Sequence, residues 1–245
     1  MFNFIATILG KLMRLIYDGL VNASSAEPES ISYYAIAIII MTLLVSLISI
    51  PVTISTQKQA EKTRSFKPKM DEIQKKYGYD QQVLQKKMQE LYKEEGVAPG
   101  LGGCLPMIIQ LLVLFGLFRM MQDTGKYVFP EGMSHIRTDF YWVPTLLESD
   151  PLWYGLPLLT SLSQLLTTLF SMKTNPQQQQ AMGGMNTMML VLPLVFFFTF
   201  RQLPAGLPLY YTLSSVFRLI IMVVMHFAMK GKKVEENEKN PNKIS

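Results

Sequence analysis

Apolar residues along this chain gather into five blocks, 33–55, 104–121, 152–171, 185–200 and 207–229, and nearly all charged residues fall between them. A helix needs about 17–25 predominantly apolar residues to cross a bilayer. Four of the blocks reach that length, and 185–200 is expected to extend into its flanks. The pattern predicts an all-α fold, a polytopic membrane protein with five transmembrane helices.

The segments between and before the blocks carry a second kind of pattern. Within 1–32, Phe4, Ile5, Ile8, Leu12, Leu15, Ile16 and Leu20 recur at helical spacing, while Lys11, Arg14 and Asp18 take other faces. Those charges interrupt any signal-peptide core. The spacing predicts an extracytoplasmic amphipathic helix lying in the outer interface, followed by a linker. In 57–95, Phe66, Met70, Ile73 and Tyr77 are spaced by four, three and four, and a second stripe (Leu84, Met88, Leu91, Tyr92) follows Gly78 and Asp80. Two amphipathic arms whose apolar faces meet make a cytoplasmic helical hairpin, with Pro68 at the start of its first arm. The core is thus expected to run from 33 to 229 with the hairpin inside it. Trp142 and the Tyr and Phe residues of 122–151 read as interfacial anchors. The charged tail 230–245 is expected to lack structure.

Charge then sets the orientation. Of the 23 Lys and Arg residues, sixteen lie in 57–103, 172–184 and 230–245, five lie in the connections on the other side, and Arg119 and Arg218 lie within helices. Cytoplasmic loops carry the excess of positive charge, so the N-terminus is placed outside and the C-terminus in the cytoplasm. The net charge of +5 is a topology signal, although the basic tail could touch a ribosome. Cys104 is the single cysteine, and His135 and His226 lie on opposite sides of the membrane in this topology. No metal-ligand cluster, nucleophile–base pair or phosphate-binding Gly loop appears, so no cofactor and no enzymatic activity are expected.

Polar residues inside the apolar blocks point to chemistry of another sort. Thr42, Ser46, Ser49 and Thr53 share one face of the first helix, and Thr160, Gln164, Thr167 and Ser171 share one face of the third. The fifth offers Tyr211, Ser214, Ser215 and Arg218 within two turns. Ser and Thr stripes also arise as glue between helices. Arg218 goes further, because it lies about eleven residues from each end of its block and keeps its proton in any protein setting. Placing an arginine at the centre of a spanning helix costs about 2.5–3.5 kcal/mol on insertion scales. No Asp or Glu occurs in any of the five blocks. An unpaired cation calls for water, which implies a hydrated groove; snorkelling to the cytoplasmic side is the rival account.

In order and motif the chain resembles the YidC-type membrane protein insertases, most closely their short, Gram-positive-like forms, over about residues 2–229. The resemblance rests on "AIIIMTLLVSLISIPVTISTQKQ", "KPKMDEIQKKYG", "GVAPGLGGCLPMIIQ" and "LPLVFFFTFRQLPAGLPLYYTLSSVFRLI", in that order. It implies a protein that inserts and helps fold nascent membrane proteins, alone or beside the Sec translocon, through a groove open to the cytoplasm and to membrane lipids. Ribosomes are implied partners; no small-molecule substrate is. Candidate groove residues are Arg218, Ser46, Thr42, Ser49, Gln164, Thr167, Ser214, Ser215 and Gln110. The family's groove arginine, carried on the first core helix, falls where this chain has Ser46. Two expectations follow: either the positive charge has moved to Arg218, or the groove is uncharged and serves fewer clients. A small transporter or channel is the competing class, and Met182, Met185, Met188 and Met189 are a further candidate client surface.

Overall fold

A computed structural model describes the backbone of residues 2–24, 26–96, 101–174 and 185–239, with side chains described in those ranges except at 2, 60, 64, 101–109, 185–190 and 229–239. Its elements are α1 (Phe2–Ala23), α2 (Tyr33–Ser65), α3 (Lys67–Tyr77), α4 (Gln81–Glu94), α5 (Leu101–Gln122), α6 (Thr124–Tyr127), α7 (Leu156–Thr174), α8 (Met185–Phe200) and α9 (Gly206–Lys239). Among the described residues there is no strand, only isolated bridges joining Ile31 to Phe140 and Phe140 to Val143. The fold is helical throughout, as the hydrophobic blocks predict.

Among the described residues two helices, over Tyr33–Thr63 and Gly206–Ala228, are long and apolar enough to cross a membrane, and Gln110–Gln122 and Val191–Phe200 are shorter apolar stretches. Helix α2 has 33 residues, about 50 Å at 1.5 Å per residue. It therefore exceeds a hydrocarbon layer of about 30 Å. It absorbs Pro51 and runs on through residues expected to open the hairpin's first arm. Nothing between 55 and 65 breaks a helix, and Thr56 and Thr63 bond back to carbonyls of their own turns. Helix α9 likewise continues to Lys239, into the tail expected to be unstructured. Helix α8 stops at Phe200 and does not extend forward, because the chain turns at once towards Pro204. The polar connection 175–184 and the residues around Pro99, along with the side chains of Met182, Met185, Met188 and Met189, lie outside the described set.

The hairpin forms as its two stripes dictate. Asp80 caps α4, its carboxylate accepting from the backbone N–H groups of Gln82 and Val83 at 3.0 and 3.1 Å. Phe66, Met70 and Leu91 are buried together, flanked by Ile73, Met88 and Tyr92. Phe66 meets Tyr92 edge to face, and Lys69 pairs with Glu95 at 2.6 Å across the open end.

Burial in the bundle is concentrated at one end, where α2 and α9 begin and α5 finishes. Tyr34, Ile38, Met41, Leu117, Met120, Phe129, Leu146, Leu207 and Tyr211 are all buried there. The connections 24–32, 123–155 and 201–205 are tied together over this core. Ser32 Oγ donates to the Asp139 carbonyl at 2.7 Å, the Tyr141 N–H to Ser30 at 2.8 Å, and the Ala205 N–H to Glu148 at 2.7 Å. Asp150 closes the cap, accepting from the N–H groups of Leu152 and Leu156 at the start of α7 and from the Trp142 indole. Arg137 pairs with Asp139 and reaches the carbonyls of Pro28 and Glu29.

Helix α1 seals the side of this core. Ala6, Leu9 and Met13 are buried against it, whereas Phe4, Ile8 and Leu15 of the same apolar set face outward. The helix is apolar on two faces, one held by protein. Arg14 joins Asp18 and Glu131 and stacks over the Phe129 ring. Glu131's own backbone N–H, and then the Arg14 guanidinium, hold its carboxyl below the usual carboxylate range. That tie is fully present above the usual range and is lost as pH falls through the lowered value. Gly10 is where α1 comes closest, since a Cβ there would meet the backbone carbonyl of Tyr127. Gly10→Ala is expected to destabilise the protein by about 1–3 kcal/mol, read as a lower unfolding midpoint in detergent, whereas Gly19→Ala, which has open space around it, leaves the midpoint unchanged or raised.

Candidate groove around Arg218

The bundle loosens away from the capped end. In α2 the buried run ends at Thr42, and from 43 to 59 every side chain is at least partly exposed. In α9 continuous burial ends at Tyr211. The polar residues that the sequence singles out lie at this transition, and the structure sorts them into two groups.

The first group binds helices to each other or to themselves. Thr160 Oγ1 lies 2.8 Å from the Leu156 carbonyl, 2.9 Å from that of Pro208 and 2.8 Å from Thr212 Oγ1, and so joins α7 to α9. Thr167 Oγ1 donates to Ser163 at 2.8 Å and approaches the carbonyl of buried Ser215 at 3.3 Å, a second tie between the same helices. Thr42 is buried, and its hydroxyl returns to the Ile38 carbonyl at 2.6 Å. Ser49 and Thr53 likewise bond the carbonyls four residues back. Thr212 was not among the sequence candidates. It sits three residues before Ser215, on the face turned to α7, and that spacing is the signal that could have found it.

The second group keeps partial exposure: Ser46, Gln164, Ser214 and Arg218. Here α9 turns towards α5. Tyr211, Ser214 and Arg218 follow one another at three and four residues and so form one stripe. Arg218 Nη2 donates to Gln110 Oε1 at 2.7 Å. The Tyr211 hydroxyl donates to the backbone carbonyl of the same glutamine at 3.3 Å. The guanidinium is therefore turned into the bundle and towards α5. The sequence marks Gln110 as a candidate, but only the structure joins it to Arg218, 108 residues away.

What this arrangement can do is electrostatic. A cation, a neutral amide and hydroxyl groups at the edge of a half-packed bundle attract carboxylates and hold water. Among the described residues no group of His, Cys, Asp and Glu side chains is arranged to hold a metal ion.

A family model described as 60Kd inner membrane protein matches residues 27–233. The membrane protein insertase YidC of Fusobacterium nucleatum subsp. nucleatum is 34% identical over 198 residues, which are 80% of this chain and 86% of that one. That of Haemophilus influenzae is 32% identical over 212 residues, 85% of this chain and 36% of that one. That of Geobacter metallireducens is 34% identical over 187 residues, again covering about a third (32%) of the relative. Among solved structures, an active YidC insertase with its first transmembrane domain resolved superposes with a TM-score of 0.60 at 23% identity, covering 88% of this chain and 45% of that one. That likeness bears on the fold.

The sorting into glue and exposed groups is testable by substitution. Thr160→Val keeps the shape and removes three polar contacts, and is expected to cost about 0.5–1.5 kcal/mol in detergent unfolding. Ser46→Ala, at a half-exposed position, is expected to leave the unfolding curve in place.

Proposed function

The chain belongs to the 60Kd inner membrane protein family, and from that premise we propose that it is a membrane protein insertase working through a groove that carries the positive charge of Arg218. The observation that carries this reading is a guanidinium turned into the bundle at the edge of its packed end, in a chain whose five apolar blocks contain no carboxylate. Five helices span the membrane, with the N-terminus outside and the hairpin and C-terminus in the cytoplasm. The capped, buried end then faces outward, and the loosely packed half opens towards the cytoplasm and the lipid.

A client's short tail must cross the hydrocarbon, and its polar groups resist leaving water. Water held in the groove shortens the dry path, and Arg218 draws in acidic side chains. As the client's apolar segment moves into lipid, the tail is released outward. The membrane potential adds about 2.3 kcal/mol per negative charge per 100 mV, so no nucleotide and no catalytic step are needed. Ribosomes and the Sec translocon are partners at the cytoplasmic side, where the sequence over 67–94 and 230–245 is rich in charge.

In membranes depleted of other insertases, Arg218→Ala is expected to reduce insertion of clients with acidic tails about ten-fold or more, judged by protection of the tail from added protease. Ser46→Arg placed on Arg218→Ala is expected to restore it, since both positions lie at similar depth on helices running in the same direction. Undiminished insertion by Arg218→Ala would remove the charged-groove reading. Single cysteines at 46, 164 and 214 are expected to react with a water-soluble maleimide from the cytoplasmic side alone; labelling from outside would contradict the orientation.

A further inference from the structure

Arg218 has a ligand of its own. Gln110 Oε1 takes a hydrogen bond from Nη2 at 2.7 Å, and the Tyr211 hydroxyl grips the Gln110 main chain at 3.3 Å. Two residues of α9, seven apart, thus converge on one residue of α5. Elsewhere α5 rests mainly on α1, with lighter contact to α2 and α9, so this double grip is a principal tie between α5 and α9 at that level.

The chemistry of the partner matters. An amide oxygen is neutral and satisfies one of the five N–H groups of a guanidinium. It stabilises the cation without cancelling its charge. A carboxylate binds the same planar fork through two parallel charge-assisted bonds, each roughly twice as strong as a neutral one. Such a group displaces an amide from the fork, whereas the amide would not displace a carboxylate. Glutamate has the shape of glutamine and would hold Arg218 permanently.

Building on the insertase reading, we infer that Gln110 is the resting ligand of Arg218: a neutral placeholder that keeps α5 latched to α9 and gives up the guanidinium when the carboxylate of an acidic client tail arrives. Gln110 is then a residue that sets specificity, since its exchangeability is what lets the groove prefer acidic tails. Release of Nη2 leaves the Tyr211 contact in place, so α5 stays tethered by its backbone while the side chain swings aside.

The test uses the whole chain in membrane vesicles with two single-span clients that differ in having two aspartates or two asparagines in the translocated tail. Gln110→Glu places a fixed carboxylate against the guanidinium. It is expected to cut the ratio of aspartate to asparagine insertion about ten-fold or more. Gln110→Ala removes the competitor and is expected to raise the ratio of aspartate to asparagine insertion about two-fold or more. An equal effect of Gln110→Glu on both clients, or an unchanged ratio in Gln110→Ala, overturns the inference. If Gln110→Glu does not accumulate in membranes, the ratio in Gln110→Ala decides. Should the wild-type protein insert neither client, the insertase reading falls and takes this one with it; should it insert both while the variants behave alike, the placeholder role alone is lost.

Discussion

A guanidinium cannot shed its proton, and in this chain the apolar blocks hold no carboxylate to balance it. Its charge must therefore be met by neutral dipoles, by water, or by an incoming anion. The structure supplies the first of these, an amide oxygen at 2.7 Å. Neutral partners stabilise a cation less than an ion pair would, because they leave its field intact. Among the described residues, the positive charge of Arg218 is thus held but not cancelled.

Such a site needs a rigid frame beside it. The capped end provides one, where three separate connections are cross-linked through backbone bonds and through Ser32, Arg137 and Asp150. Large side chains such as Tyr34, Phe129 and Phe200 fill the interior there. Each of α2 and α9 begins in this packed region and leaves it within about a dozen residues. Packing therefore seals one end and leaves polar side chains of the other half reachable. Thr160 and Thr167 hold α7 on α9 with their hydroxyls, which keeps the loose half from coming apart.

The residues at the two ends also behave differently. At the capped end Asp150 is consumed by structure, its carboxylate taken up by two N–H groups and an indole. In the half-packed region Ser46, Gln164, Ser214 and Arg218 retain exposure. An interior polar group is stabilising when fully bonded and costly when half bonded.

Hydrophobic block length and the 3.6-residue period determined from sequence alone that the chain is helical, that two amphipathic arms within 57–95 meet as a hairpin around Phe66, Met70 and Leu91, though α2 takes the stretch up to Ser65, and that Arg218 lies deep within an apolar run. Local chemistry suffices for these, since a helix satisfies its backbone within itself and an apolar stripe finds its partner across a short turn. Four things belong to the tertiary structure: the cap that ties 24–32 to 123–155 and 201–205, the outward face of α1, the division of Ser and Thr into glue and exposed groups, and the meeting of Arg218 with Gln110. In a helix every polar stripe looks alike by spacing. Which stripe meets a neighbour's backbone and which meets open space depends on how far apart the helices stand, and contacts made across a hundred residues of chain decide that distance.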